Sequence, residues 1–328
     1  MNKYTTRRTI ISGLASVALL GAATMVPALA QGFPDKPIKF VVPFPPGSAT
    51  DTSARYFAKK LSEMTSQPVV IDNKVGGNSF IAVRAVLAAP ADGYTVFIGS
   101  NSSLAVNAAL FKSLPYDPIA DFSPLTMMVR APAVIIVPGT STHTSLPELI
   151  AAAKAKPGAL NYAHGSAGYQ LMAELFNESA NVRTHGVPFK SATDSVVAVA
   201  SDTVQFAFVE ITSAQELVKS GKLRALAIAS TNRVSVLPSV PTSAEAGLPG
   251  FSAYVWVAAM VSSKTPKAET EKLAALMTKI KNLPETREFY ERIGGEVMRG
   301  GPEEMRAFQN AEIDLWKRIA VKAKIEQQ

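Results

Sequence analysis

The sequence has no cysteine and few histidines, and these absences exclude several kinds of site. Without cysteine there is no disulfide framework, no thiolate metal site and no cysteine nucleophile, although the redox compartment stays open. The three histidines, His143, His164 and His185, lack the close spacing of zinc ligands, and no HExxH sequence occurs. Neither GxGxxG nor GxxxxGK[ST] is complete, so we expect neither a metal nor a cofactor.

Charged residues are also sparse, at 18% of the chain, and no block of one sign stands out. The formal net charge is +7. Lysine and arginine are scattered among aspartate and glutamate, which disfavours nucleic acid as a partner. A mildly basic surface would suit a small anionic solute.

A long uncharged stretch near the N-terminus has the pattern of an export signal. Lys3, Arg7 and Arg8 precede it, and Ala28-Leu29-Ala30 supplies small residues at a cleavage site, so residues 1–30 are predicted to be a cleaved signal peptide. A membrane anchor is the less favoured alternative. The adjacent arginines fit twin-arginine export as well as the general secretory route. Cleavage would lower the net charge from +7 to +4, because these 30 residues hold three basic and no acidic residues.

Strand-like apolar runs alternate with helical periodicity after Pro37, which predicts an α/β fold with mostly parallel sheets. The stretches richest in proline, glycine, serine and threonine are 132–144 and 238–251. If the chain passes between lobes near both, residues 31–134 and 254–328 form one discontinuous lobe, and residues 135–253 form the other. Two crossings predict a hinge above a central cleft.

The segment 38–51, IKFVVPFPPGSATD, joins a strand to a helix through a short Pro/Gly/Ser loop. Such a loop directs free backbone N–H groups and the positive end of a helix dipole at one point, where an anion can bind. Its candidate ligand-binding residues are Phe44, Pro46, Gly47, Ser48, Ala49, Thr50 and Asp51.

A second strand–loop–helix segment, LNYAHGSAGYQL at 160–171, predicts a similar anion site in the other lobe. Its candidates are His164, Gly165, Ser166, Ala167, Gly168 and Tyr169. Phe189 is a candidate for the pocket wall. The sequence HGSAG at 164–168 also has a partial likeness to the GxSxG turn of serine hydrolases, so a secreted hydrolase using Ser166 is a disfavoured alternative.

Several segments in this order resemble one family, the Bug-type extracytoplasmic solute receptors of tripartite tricarboxylate transporters. They include FPDKPIKFVVPFPPGSATD at 33–51, APADGYTVFIGSNSSLAVN at 89–107, KPGALNYAHGSAG at 156–168 and LPSVPTSAEAGLPGF at 237–251. The resemblance implies a type II periplasmic-binding-protein fold whose two lobes close on a carboxylated solute. It also implies that Ser100, Asn101, Ser102 and Glu210 face the cleft.

The resemblance implies a periplasmic monomer that delivers its carboxylate to a membrane permease with a large and a small subunit. A receptor of the same fold that serves a sensor kinase is the alternative. Departures from the family pattern concern specificity: Ser48 replaces the second glycine of PGG, and Phe208-Val209-Glu210 replaces Phe-Asp-Asn. The missing aspartate and the aromatic candidates favour an aromatic or apolar-tailed acid.

Overall fold

Alternating strands and helices make up the part of the chain that the computed structural model describes, residues 32–328. The predicted signal peptide, 1–30, lies outside these residues. The strands are β1 (Ile38–Val42), β2 (Val69–Asn73), β3 (Thr95–Ser100), β4 (Phe122–Pro138), β5 (Asn161–His164), β6 (His185–Pro188), β7 (Phe206–Glu210), β8 (Leu223–Ile228), β9 (Tyr254–Ser262) and β10 (Glu296–Val297).

The helices cover the strands and fill the C-terminal region. They are α1 (Ala49–Thr65), α2 (Phe80–Leu87), α3 (Asn107–Leu110), α4 (Leu146–Ala155), α5 (Ala167–Ala180), α6 (Ala192–Ala200), α7 (Ile211–Lys219), α8 (Lys267–Lys281), α9 (Pro284–Arg292) and α10 (Pro302–Lys322). A π-helical turn, Ser102–Val106, precedes α3. None of the helices within residues 32–328 combines the length and apolar character that crossing a membrane requires.

The strands form one mixed sheet in the order β2-β1-β3-β9-β4-β7-β5-β6, with β8 and β10 also paired to β4. The predicted parallel pairing is found among the outer strands, where β1 pairs with β2 and β3, and β5 pairs with β6 and β7. Every pairing of β4 and β9 is antiparallel instead. These two long strands return through the middle of the sheet, so the parallel pattern holds only on either side of them.

Strand β4 changes partners along its length. It pairs with β9 as far as Pro132, which lies opposite Tyr254, and with β7 from Ala133 onward, which lies opposite Glu210. This change of partner lies at the start of the stretch 132–144, near which the chain is predicted to pass from one lobe to the other. The division into lobes at 134 and 254 stays a prediction, and β4 and β9 are the strands on which such lobes would hinge.

The helix starts follow from local capping. Ser48 begins α1, and its Oγ accepts a hydrogen bond from the Asp51 N–H at 3.2 Å. Ser145 caps α4 in the same way, with Pro147 in the first turn. Trp316 on α10 lies in the core, where it is 2% exposed.

These connections bring several helix starts together at the middle of the sheet, where β4 changes partners. The strands parallel to β1 and those parallel to β5 run in opposite directions, so their carboxyl ends face each other there. The loops after β1, β5 and β6 lead into α1, α5 and α6, and β7 leads directly into α7. The crevice outside the carboxyl ends of strands is where open α/β sheets bind ligands. The helix starts therefore mark this crevice as the place to expect a site.

Candidate functional site

Residues from the carboxyl ends of five strands enclose one narrow cavity. Strands β1, β3, β5, β6 and β7 all contribute, and the beginning of β9 closes one side. The lining residues are Phe44, Pro45, Ser48, Ala49, Thr50, Ser100, Asn101, Ser102, Gly165, Ser166, Gly168, Tyr169, Ser191, Ala192, Thr193, Glu210 and Val255. The cavity therefore lies between the group of strands around β1 and the group around β5.

The first wall is the start of α1. Gly47 has a φ of +86°, a left-handed conformation that glycine adopts without steric cost, and it turns the chain into the helix. Ser48 caps the helix, while the N–H groups of Ala49 and Thr50 belong to the first turn and have no intrahelical acceptor. Both residues line the cavity.

Asp51 holds this wall in place from behind. Its carboxylate accepts hydrogen bonds from the Gly47 N–H at 2.9 Å, from Arg55 Nε at 2.8 Å and from Asn73 Nδ2 at 2.9 Å. Asn73 Nδ2 also donates to the carbonyl of Phe44 at 2.9 Å. Burial alone would raise the pKa of Asp51, but the three donors together lower it below its usual value. The ionised carboxylate of Asp51 therefore stabilises the loop through these hydrogen bonds.

The second wall is the start of α5, and it sits tightly against the start of α6. A Cβ on Gly165 would lie 2.0 Å from the carbonyl carbon of Ser191 and 2.3 Å from the nitrogen of Ala192. Only glycine permits this approach of two backbones. The Oγ of Ser191 accepts a hydrogen bond from the Asp194 N–H at 3.1 Å, so α6 is capped as α1 is.

The two walls touch at Ser102. Its Oγ accepts a hydrogen bond from the Gly168 N–H at 3.1 Å and lies 3.4 Å from the Oγ of Ser166. Asn101 beside it is 1% exposed, and its Nδ2 has no hydrogen-bond partner among residues 32–328. A buried donor without a partner is costly, so a ligand acceptor at this point would be stabilised.

A buried acid closes the far side of the cavity. Glu210 is 4% exposed, and its carboxylate accepts a hydrogen bond from the hydroxyl of Tyr169. Burial, and then the charge of Glu210, raise the pKa of Tyr169 well above its ordinary value. The phenol therefore stays protonated and remains a donor to Glu210.

His164 lies behind the second loop and does not line the cavity. Burial lowers its pKa from 6.5 to about 4, against an opposing interaction with the Ser166 backbone. The imidazole is therefore neutral at pH 7. Within residues 32–328 no hydrogen bond joins the Ser166 hydroxyl to a histidine, so the hydrolase alternative gains no support from this geometry.

The cavity gathers most of the predicted candidates but not all. Phe44, Ser48, Ala49, Thr50, Ser100, Asn101, Ser102, Gly165, Ser166, Gly168, Tyr169 and Glu210 line it. Pro46, Gly47, Asp51, His164, Ala167 and Phe189 do not. Gly47 and Asp51 act on the loop instead, and Phe189 packs against the apolar core around β7.

Five lining residues were not among the candidates: Pro45, Ser191, Ala192, Thr193 and Val255. A sequence signal existed for the middle three, because Ser191 precedes an apolar-periodic segment and Asp194 follows three residues later, as at a helix start. Val255 carries no such signal. Its position depends on β9 lying between β3 and β4.

The electrostatics of the cavity suit an anion without a basic side chain. Within the described part of the chain, no lysine or arginine lines it. Positive potential comes from the helix starts at Ala49, Ala167 and Ala192, each with first-turn N–H groups that lack intrahelical acceptors. Serine and threonine hydroxyls add further donors. Glu210 is the one acid among the described lining residues, so these uncharged donors would have to offset its charge in order to bind a carboxylate.

Comparison with known proteins gives one consistent family. The family model described as "Tripartite tricarboxylate transporter family receptor" matches residues 53–325. BugT of Bordetella pertussis is 34% identical over 302 residues, which cover 90% of this chain and 91% of BugT.

Two solved structures from Rhodopseudomonas palustris are similar over nearly the whole described chain. Rpa4515, solved with adipate, has a TM-score of 0.84 at 31% identity, covering 89% of this chain and 98% of that one. MatC, with bound malate, has a TM-score of 0.80 at 29% identity, covering 88% and 99%. Together with the periplasmic binding proteins of the same type, these neighbours confirm the predicted α/β fold class.

Proposed function

The chain belongs to the tripartite tricarboxylate transporter receptor family, the Bug-type solute receptors, and we propose that it captures an organic carboxylate in the cavity described above. The family consists of periplasmic solute-binding receptors rather than enzymes. One observation carries the assignment of the site: residues at the helix starts of both groups of strands line the same cavity.

The proposed ligand class rests on charge. Carboxylates accept hydrogen bonds from backbone N–H groups and hydroxyls, and the cavity offers both. The neighbours solved with adipate and malate support this choice for the chain. The binding residues we propose are the lining residues of α1, α5 and the Ser100–Ser102 segment.

Capture proceeds by closure of two lobes in this proposal. The hydrogen bond from Gly168 to Ser102 joins the start of α5 to the segment after β3, and this contact supports a closed form for the described residues. A ligand between the walls would accept hydrogen bonds from both of them only in the closed form. Its higher affinity for the closed form than for the open form would shift the population toward closure.

Delivery to a membrane permease with a large and a small subunit completes the proposal. Export by the N-terminal signal would place the receptor, as a monomer, in the periplasm beside that permease. No cofactor takes part, because binding and release break no covalent bond.

A thermal-shift screen of residues 31–328 tests the function. We expect saturating adipate, malate or another acid of a carboxylate panel to raise the melting temperature, because such a ligand binds only the native state. The matched diamides, which keep the shape and lose the charge, are the control and should leave it unchanged. A panel in which no acid acts, or in which the amides act equally, would overturn the proposal.

Asn101 provides the test of the site. Asn101→Ala removes a buried donor that has no protein partner, so we expect affinity for the active acid to fall by about tenfold or more while the ligand-free protein stays folded. Asn310→Ala, at an exposed position of α10, is the matched control. Equal affinities of both variants and the natural chain in calorimetry would place the ligand elsewhere.

A further inference from the structure

A second cavity adjoins the first and shares Ala49, Glu210 and Val255 with it. It extends from these residues toward the middle of the sheet, between β4, β9 and the end of α9. Its further lining is largely apolar and includes Val129, Ala131, Ile211, Val257, Tyr290 and Ile293. A ligand anchored at the start of α1 would therefore have an apolar space next to its bound end.

The charges around the second cavity disfavour an acidic occupant. Glu210 is the acid that lines it, and no lysine, arginine or histidine lines it within residues 32–328. Glu210 lines the first cavity too, but there the starts of α1, α5 and α6 supply donors that offset its charge, whereas among the described residues the second cavity has only Ala49 of α1 and the start of α7. A carboxylate on the far end of a ligand would therefore face Glu210 with fewer donors and no cation to compensate, and neighbouring like charges repel. An uncharged tail meets no such penalty and buries apolar surface.

One polar atom in this cavity lacks a partner among residues 32–328. Thr212 Oγ1 makes no hydrogen bond with any described residue, and Thr212 lines the second cavity. The hydroxyl of Tyr290, a residue that is 1% exposed, interacts with Ser53 on the same cavity wall. A neutral hydroxyl or carbonyl group on a ligand tail would give Thr212 a partner.

The geometry points to an amphipathic monocarboxylate as the ligand, bound with its carboxylate in the first cavity and its uncharged tail extending past Glu210 into the second. This inference rests on the proposed function and narrows it. It assigns the second cavity the role of selecting uncharged tails, in contrast to the dicarboxylates found in the two neighbours.

Hexanoate and adipate form a matched pair for the test, because they share six carbons and differ in the charge at the far end. In calorimetry we expect hexanoate to bind about tenfold or more tightly than adipate. Along the series from propionate to hexanoate, affinity should rise about fourfold per methylene as the tail enters the cavity. Tighter binding of adipate, or a flat series, would overturn the inference.

Ala131→Leu tests the location of the tail. Ala131 is half-buried on β4 and lines the second cavity but not the first, so a larger side chain should abolish the gain from propionate to hexanoate and leave propionate binding as it was. Ala152→Leu, at a half-buried position of α4 that lines neither cavity, is the control. An equal loss for both acids would contradict the assignment.

Glu210→Gln provides a second, independent variant, because glutamine keeps an acceptor for Tyr169 and removes the charge. We expect the preference for hexanoate over adipate to shrink toward equality. An unchanged ratio would contradict the role of Glu210. These outcomes can be distinguished from failure of the proposed function. If no acid binds, the proposed function is wrong. If short acids and adipate bind but hexanoate binds no more tightly, only the role of the second cavity is refuted.

Discussion

His164 is a half-buried neutral imidazole, and its partial burial makes stability depend on pH. Its pKa is lowered from 6.5 to about 4, mainly by burial. Between these pH values the imidazole is therefore protonated in the unfolded chain but neutral in the folded protein. Acidification therefore favours unfolding. From pH 7.5 to pH 5 we expect this group to lower the free energy of unfolding by about 2 kcal/mol, measured by urea denaturation.

The control for this prediction is a second histidine. His164→Gln should remove this share of the acid sensitivity, whereas His185→Gln, at an exposed position on β6, should leave it in place. If His164→Gln loses as much stability between the two pH values as the natural chain does, the imidazole is not the cause.

Asp51 illustrates how a residue outside the cavity can control it. Replacing Asp51 by alanine leaves the Gly47 N–H and Asn73 Nδ2 without their acceptor, so we expect the free energy of unfolding to fall by about 2–3 kcal/mol and ligand affinity to fall as the loop relaxes. Urea denaturation and calorimetry measure the two effects.

Arg55 is the matched comparison, because it is the exposed partner of the same carboxylate. Its side chain is 53% exposed, and ion pairs of this kind contribute little. Arg55→Ala should change stability by less than about 1 kcal/mol. Comparable losses in Asp51→Ala and Arg55→Ala would show that the ion pair, and not the loop hydrogen bonds, holds the wall.

Helix starts build this site, and two glycines around the start of α5, Gly165 and Gly168, have different roles. A Cβ on Gly165 would meet the backbone of Ser191, which cannot give way, whereas a Cβ on Gly168 would meet the side-chain ends of Asn101 at 2.8 Å and Ser102 at 2.9 Å. Gly165→Ala should therefore lower the melting temperature strongly.

Gly168→Ala should act on binding instead. Alanine is the better residue within a helix, so the ligand-free protein should be as stable as the natural chain. The alanine methyl group would displace the side chains of Asn101 and Ser102, which line the first cavity. We therefore expect affinity for the active acid to fall several-fold. Thermal melting with and without ligand measures both. A Gly168→Ala protein that melts lower but binds normally would refute this assignment of roles.

Elements with a local signal could be predicted from the sequence, and elements without one could not. The caps at Ser48 and Ser145 and the Gly/Ser loops gave the positions of α1, α4 and α5. The apolar run 134–137 predicts only the second half of β4, because Pro124 and Pro132 resemble strand breaks. In the structure, Pro124 adjoins an irregularity in the pairing with β9, and Pro132 lies where β4 changes partners, both places where a strand tolerates proline. Strand β6, HGVP, is too short for its alternation to be recognised.

The site shows the same limit. Residues on the two anion loops were predictable because each loop directs its own N–H groups. Val255 and the second cavity were not, since they arise only when β4 and β9 return between the outer strands. The interaction between Tyr169 and Glu210 likewise joins residues 41 positions apart.

The whole molecule is expected to respond to its ligand by becoming more compact. The walls of the cavity belong to strand groups that meet along β4 and β9, so an open form would separate them there. Small-angle scattering of residues 31–328 should show a smaller radius of gyration with saturating ligand than without it. The diamide control should cause no change, and an identical radius in all three samples would contradict closure.

A crystal structure of the protein with its tightest-binding acid tests the central claim most directly. We expect a carboxylate within hydrogen-bond distance of backbone N–H groups at the starts of both α1 and α5, and beside Asn101 Nδ2. A carboxylate bound outside the space between these two helix starts would contradict it.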